Sequence, residues 1–329
     1  MRFTLKALLK ATAVAAIVLS GAAQAQESNY PNRPIRLVVG LSPGASSDTV
    51  AREVARGLTE KLKVPVVVEN RAGANTIIAS QLVAKAAPDG YTLLVSSSMN
   101  ATNPWVYDKL PYDPNKDLKN IVLLGLAPNL MVSSNKSGIT SFQQFIEYAK
   151  RNPGKLAYGS AGIGSVHHLL MEIIAQRNGI TLNHIPYRGG APAIQDVLGG
   201  TLDTYFGTIS STKAAVERGA MNALFVTSHT RSKYMPKADT LAEHGIKGLE
   251  SGYWLGLSGP AGLPESIVKR LNETVNEVLK DPAVLAHLDG QAIEPRGGSV
   301  ADMDAFFQRE LQFWKEAAQA AKITPMEAK

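Results

Sequence analysis

The sequence predicts an α/β protein of two lobes, each a mostly parallel sheet flanked by helices, with a ligand cleft between them. Three observations carry this. Short β-branched runs alternate with amphipathic helical patterns along the chain, and right-handed strand–helix–strand crossovers build parallel sheets. Small-residue loops at 42–47, 96–100, 159–165 and 208–211 each follow a strand and mostly precede a helix, in both halves of the chain; ligands of open parallel sheets sit at such places. The 329 residues hold 45% apolar side chains and no cysteine, so the protein relies on its own core.

The first 25 residues read as a leader. Arg2, Lys6 and Lys10 precede an apolar run over 11–21 that is too short to span a bilayer. Ala23-Gln24-Ala25 then has the small-x-small pattern of a signal-peptidase site, so an exported, soluble protein cleaved near Ala25 is expected.

The elements follow in order. Residues 35–40 (IRLVVG) read as a strand. Val50, Val54, Leu58 and Leu62 then recur every fourth residue, the spacing of a helix with one apolar face. Ser46 or Ser47 is the expected N-cap, and Asp48 suits the positive end of the helix dipole. A strand at 64–69, a helix at 76–87 and a turn at Pro88-Asp89-Gly90 lead to a strand at 91–95. Strands are expected at 121–126, 130–133, 156–158, 182–186, 202–206, 223–227 and 253–257. Ser141 and Gln144 form a capping box ahead of a helix that ends near 152–154. Pro192 opens another helix and Gly199-Gly200 stops it. Helices at 265–280, 283–288 and 301–322 finish the chain.

Charge and motifs exclude several functions. The leader carries three of the 34 basic residues and none of the 28 acidic ones, so a net charge of +6 falls to +3 on cleavage. That is too mild for nucleic acid. The absence of cysteine excludes disulfides, thiolate chemistry and a lipoprotein anchor. The stretch GSAGIGSVHHLL (159–170) lacks the lysine of a phosphate loop, and its glycines run G-x-x-G-x-G, not G-x-G-x-x-G. No nucleophile elbow and no H-E-x-x-H helix occurs. No catalytic residue, metal or cofactor is therefore assigned.

What remains in 159–170 is a run of backbone N–H groups at a helix start, with Ser160 and Ser165 as hydroxyl donors. Such a nest suits a carboxylate; a plain glycine-rich turn capped by serine is the other reading. His167 and His168 point about 100° apart on a helix and do not share a metal. His168 reads as a neutral donor at a pocket edge or as a near-core residue. Tyr187 and Arg188 lie between a strand and a helix, facing a ligand or sitting in a surface turn.

Four stretches carry a resemblance that covers nearly all of the chain after the leader: VVVENRAGANTIIASQLVAKAAPDGYTLLVSSS, GSAGIGSVHHLL, IPYRGGAPAIQDVLGGTLD and YWLGLSGPAGLP. In this order they resemble the tripartite tricarboxylate transporter substrate-binding proteins, the Bug family. The resemblance implies a monomeric periplasmic binding protein whose hinged lobes close on a small organic carboxylate and deliver it to a membrane permease. It implies one lobe from 26–128 with 253–329, another from 129–252, and crossings near 127–130 and 251–253. The family's first binding loop matches Ser42, Pro43, Gly44, Ala45, Ser46, Ser47 and Asp48, with Ala45 in place of a glycine. The second matches Ser160, Ala161, Gly162, Gly164 and Ser165, with His168 at the family's histidine and His167 where a smaller residue is usual. Tyr187 and Asp203 match a family tyrosine and aspartate, and Ser97, Asn100 and Thr208 complete the expected ligand-binding set. Gly207 stands where many members carry aspartate, which disfavours an amino-acid ligand. Two rival readings are a periplasmic hydrolase using His168 with a serine, and a sensory protein that presents its ligand to a membrane receptor.

Overall fold

The computed structural model describes residues 30–249, 252–320 and 323–327. The expected leader and residue 251 of the second crossing lie outside them. Strand β1 (Ile35–Val39) leads to helix α1 (Ser46–Leu62) and strand β2 (Val66–Asn70). A 3-10 turn (Ala74–Thr76) precedes α2 (Ile77–Ala84), then come β3 (Thr92–Ser97) and α3 (Ser98–Val106). β4 (Leu118–Ala127), β5 (Asn129–Ser134), α4 (Phe142–Arg151), β6 (Ala157–Ser160) and α5 (Val166–Asn178) follow. Next are β7 (Asn183–Pro186), α6 (Gly190–Gly199), β8 (Thr204–Thr208), α7 (Ile209–Glu217), β9 (Met221–Val226) and β10 (Asp239–Thr240). β11 (Tyr253–Pro260), α8 (Glu265–Val278), α9 (Pro282–Gly290), β12 (Glu294–Pro295) and α10 (Val300–Ala320) complete the order.

The α/β class holds, with two six-stranded sheets. Their orders are β12-β4-β11-β3-β1-β2 and β10-β9-β5-β8-β6-β7. Within them β2, β1 and β3 are parallel, as are β7, β6 and β8. One central strand in each sheet runs the other way: β11 is antiparallel to β3 and β4, and β5 to β8 and β9; the short edge strand β12 is also antiparallel to β4. The reason is where these strands enter. Asn129, the first residue of β5, pairs with Thr208, the last of β8. Tyr253, the first of β11, pairs with Ala127, the last of β4. A chain that crosses between sheets enters at the carboxyl ends of the parallel strands, and can only run back along them.

Two local expectations give way. Residues 96–100 are not a loop: β3 runs through Ser97 and α3 begins at Ser98, with Pro104 tolerated inside it. A helix of only nine residues with an internal proline has too little apolar periodicity to read from sequence. The helix expected from 76 starts at Ile77, after Ala74, Asn75 and Thr76 in left-handed backbone (φ 44°, 49° and 70°). α10 packs on α3 and β4. The Trp254 and Trp314 indoles both donate to Glu310 Oε2, at 2.9 and 3.1 Å, which ties β11 to α10. Among the described residues no helix is long and apolar enough to cross a membrane.

Candidate functional site

The carboxyl ends of β1, β3, β6 and β8 come together, and each leads into a helix, with N-caps at Ala45, Ser97, Ser165 and Thr208. Helix N-termini offer N–H groups with no intrahelical acceptor and favour negative charge. The two sheets meet here through side chains. Ser46 Oγ lies 2.9 Å from Ser210 Oγ and 3.5 Å from Thr208 Oγ1, and Thr208 and Ser210 are 2.8 Å apart. Asn75 Nδ2 donates to Gly164 O at 3.3 Å and to Asn103 Oδ1 at 2.6 Å.

In the first loop the N-cap is Ala45, not Ser46 or Ser47, because the helix begins one residue earlier than its apolar stripe indicates. Ala45 has φ −69° and ψ 159°, extended backbone open to any residue, so a glycine is not needed there. Ser42, Pro43 and Gly44 are exposed. Asp48 is buried and its carboxylate is committed within its own loop. Oδ2 accepts from Gly44 N–H (2.9 Å) and Arg52 Nε (3.0 Å), and Oδ1 from Arg52 NH2 (2.9 Å) and Asn70 Nδ2 (3.0 Å). Burial opposes its charge, but these donors outweigh it and hold its pKa below the usual value. Asp48 therefore shapes the loop; it has no lone pair left for a ligand.

The second loop is more self-contained than a free row of N–H groups. Ser160 Oγ accepts from Gly162 N–H at 3.1 Å, His168 Nδ1 from Gly164 N–H at 3.2 Å, and Gly162 O from Ser165 N–H at 3.2 Å. Ser165 caps α5 by accepting from His168 N–H at 3.3 Å, and its hydroxyl donates to Gly162 O at 2.7 Å. Ala161 follows β6, half-buried. His184, which the sequence reading passed over, is central. Its Nε2 lies 2.7 Å from Ser160 Oγ, and its ring stacks on Tyr158 (4.8 Å) and His168 (4.2 Å). Burial, then the charge of His168, lowers its pKa to about 3. Burial also lowers His168, against Glu172. The two adjacent histidines do diverge: His167 instead stacks on Tyr253 and meets Phe206 edge-on. Among the described residues no three metal-ligating side chains gather.

Three more expected residues have polar groups engaged within the protein. Asp203 stands at the start of β8, the opposite end from Thr208, and its Oδ2 accepts from Ala157 N–H at 3.0 Å. Asn100 is buried, accepting from Ser97 N–H at 2.9 Å and donating to Ser80 Oγ (2.8 Å) and Tyr112 OH (3.2 Å). Tyr187 donates its hydroxyl to Asp196 Oδ2 at 2.6 Å; burial, helped by this carboxylate, pushes its pKa up to about 12. What Tyr187 gives the second loop is its backbone, N–H to Ser160 O at 3.1 Å. Gly207 has a local cause: a Cβ there would lie 2.2 Å from the Tyr205 hydroxyl. Ser210, Asn75 and His184 went unread because each acquires its role from a partner far away in sequence.

With this geometry in hand, the chain can be set beside known proteins. The profile of the family described as "Tripartite tricarboxylate transporter family receptor" matches residues 50–323. Protein BugT of Bordetella pertussis is 35% identical over 89% of this chain and 90% of its own. A protein from Pseudomonas sp. (strain P51), from the tcbD-tcbE intergenic region, is 35% identical over 87% and 86%. Among solved structures, an R. palustris protein with adipate superposes with a TM-score of 0.86 at 32% identity, covering 90% of this chain and all of that one. The periplasmic binding protein BugD gives 0.84 at 30%, over 90% and 100%. MatC from Rhodopseudomonas palustris with bound malate gives 0.82 at 28%, over 88% and 100%.

Proposed function

The chain belongs to the tripartite tricarboxylate transporter receptor family, and from that premise we propose that it is a periplasmic receptor that captures a small organic carboxylate and hands it to a membrane permease. One lobe comprises 26–128 with 253–329 and the other 129–252. They close about the crossings at 127–130 and 251–253, after a leader ending near Ala25 is removed. The observation that carries this reading is the meeting of four helix N-termini from both sheets, bridged by Ser46, Thr208 and Ser210. A ligand held by both sides stabilises the closed state by its difference in affinity for the open one. Adipate and malate, present with relatives of this fold, are small carboxylates. Serine and threonine hydroxyls, backbone N–H groups and helix ends supply the anion's donors. At Gly207 no carboxylate is offered to a ligand ammonium, which favours acids without an amino group.

The hydrolase alternative needs a serine beside His168. Ser160 lies instead beside His184, and His168 Nδ1 accepts from Gly164 N–H, an arrangement that holds a loop in place. Ester turnover abolished by His168→Ala would favour that alternative.

A thermal-shift screen against dicarboxylates, tricarboxylates and aromatic acids tests the proposal. A true ligand at 100 times its dissociation constant stabilises the folded state by about 2.7 kcal/mol. Absence of any shift across this panel, with a clear shift for sugars, would refute it.

A further inference from the structure

We infer that His167, Tyr253 and Ser47 form a polar subsite at the floor of the cleft that takes a hydroxyl group, so that the ligand is a hydroxy-carboxylate. The inference rests on the carboxylate reading above and adds a place and a functional group to it.

The observation is a set of buried polar atoms without partners. His167 Nδ1, Tyr253 OH and Ser47 Oγ each lack a hydrogen bond, and each side chain belongs to a residue only 3% exposed. Native proteins leave few buried polar groups unsatisfied, and each asks for an explanation. These three come from separate elements that converge. Ser47 is the second residue of α1, just after the first loop, and His167 is the second residue of α5, just after the second. Tyr253 opens β11, where the chain re-enters the first sheet. The His167 and Tyr253 rings stack with centroids 6.4 Å apart and planes 24° apart. The hydroxyls of Ser97 and Ser47 lie near enough to the Tyr253 phenol to counter part of the effect of its burial.

The donors and acceptors select the occupant. His167 Nε2 lies 3.2 Å from Asn129 Oδ1. An amide oxygen only accepts, so Nε2 carries the proton and Nδ1 presents a lone pair. Tyr253 and Ser47 supply hydroxyls that donate. A group that fits all three must donate one hydrogen bond and accept two. An alcohol hydroxyl does this. A carboxylate would set its own lone pairs against Nδ1, and an ammonium would find no anion. A water molecule shares the hydroxyl's chemistry and is the rival occupant.

Calorimetric titration with matched pairs, malate against succinate and citrate against tricarballylate, separates these cases. The intact protein should bind the hydroxylated member of at least one pair ~10-fold or more tightly than its parent. Tyr253→Phe and His167→Phe, which keep the ring stack, should bring that ratio towards one. A ratio near one in the intact protein, or one unchanged in both variants, means a resident water and overturns the subsite while leaving the carboxylate reading intact. If no member of either pair binds, the subsite falls; if the wider acid panel also fails, the carboxylate reading falls with it.

Discussion

The three histidines around the second loop are held neutral by burial, and this sets a pH dependence. Burial lowers His167 to about 4 and His184 to about 3, the latter helped by His168, which is itself lowered. Unfolded, each titrates near 6.5. Between about 6.5 and 4 the unfolded chain therefore binds a proton at position 167 that the folded chain refuses. Stability falls as pH falls through that window and the effect levels off below it, where both states are protonated. For His167 the slope is about 1.4 kcal/mol per pH unit. Urea unfolding at pH 7.5, 6.0 and 5.0 measures it, and His167→Phe should show a shallower loss; equal slopes would contradict the assignment. At this scale the sequence already separated the two histidines, because the helical angle between neighbours is local. It was silent on His184, whose partners Ser160 and His168 are 24 and 16 positions away.

The element that decides most about the gap is β8. Its apolar alternation is visible at 202–206, but the strand runs over Thr204–Thr208. Two residues of offset put Thr208 at the strand's carboxyl end, bonded across the gap, and leave Asp203 at the far end. At ~3.3 Å per residue the two stand ~16 Å apart, so one strand cannot bring both to one small ligand. Tyr205 then excludes a side chain at 207 on the same face. Gly207→Asp should cost about 1–3 kcal/mol through overpacking. Combined with Tyr205→Ala, the loss should be smaller than the sum of the two single losses. Thermal unfolding of the four chains gives the comparison, and strict additivity would show that Tyr205 is not the obstacle. The missed helix α3 belongs to the same scale: Ser97 caps it, but a run of Ser, Met, Asn, Ala and Thr has no stripe to announce it.

For the molecule as a whole, the contacts that matter are those between sheets. Ser46 with Ser210, and Asn75 with Gly164, join them at two places. Gly164 has a φ of +78°, and a Cβ on it would lie 2.6 Å from Val106, so the approach is close. The left-handed run at Ala74, Asn75 and Thr76 carries backbone strain, and it is this run that directs Asn75 across the gap. Ser46→Ala combined with Asn75→Ala should expand the ligand-free protein, read as a larger radius of gyration in X-ray scattering. A saturating ligand should restore most of the compaction at a several-fold weaker affinity. An unchanged radius would mean that these bonds do not hold the two halves together.

The sequence by itself determined the α/β class, most of the strands, the loops at strand ends and the family, because periodicity, turn residues and motif order are local properties of the chain. It identified Ser46, Ser160, Ser165, His168 and Thr208 as residues of those loops. Only the tertiary structure decided which side chains were already spent. Asp48 is consumed by Gly44, Arg52 and Asn70, Asn100 is held by Ser97, Ser80 and Tyr112, and one oxygen of Asp203 accepts from Ala157. It also left some buried polar atoms without partners, those of His167, Tyr253 and Ser47 among them. The physical reason is that a hydrogen bond belongs to a pair. Its second member here is usually dozens of residues away, and only the folded chain brings the two together.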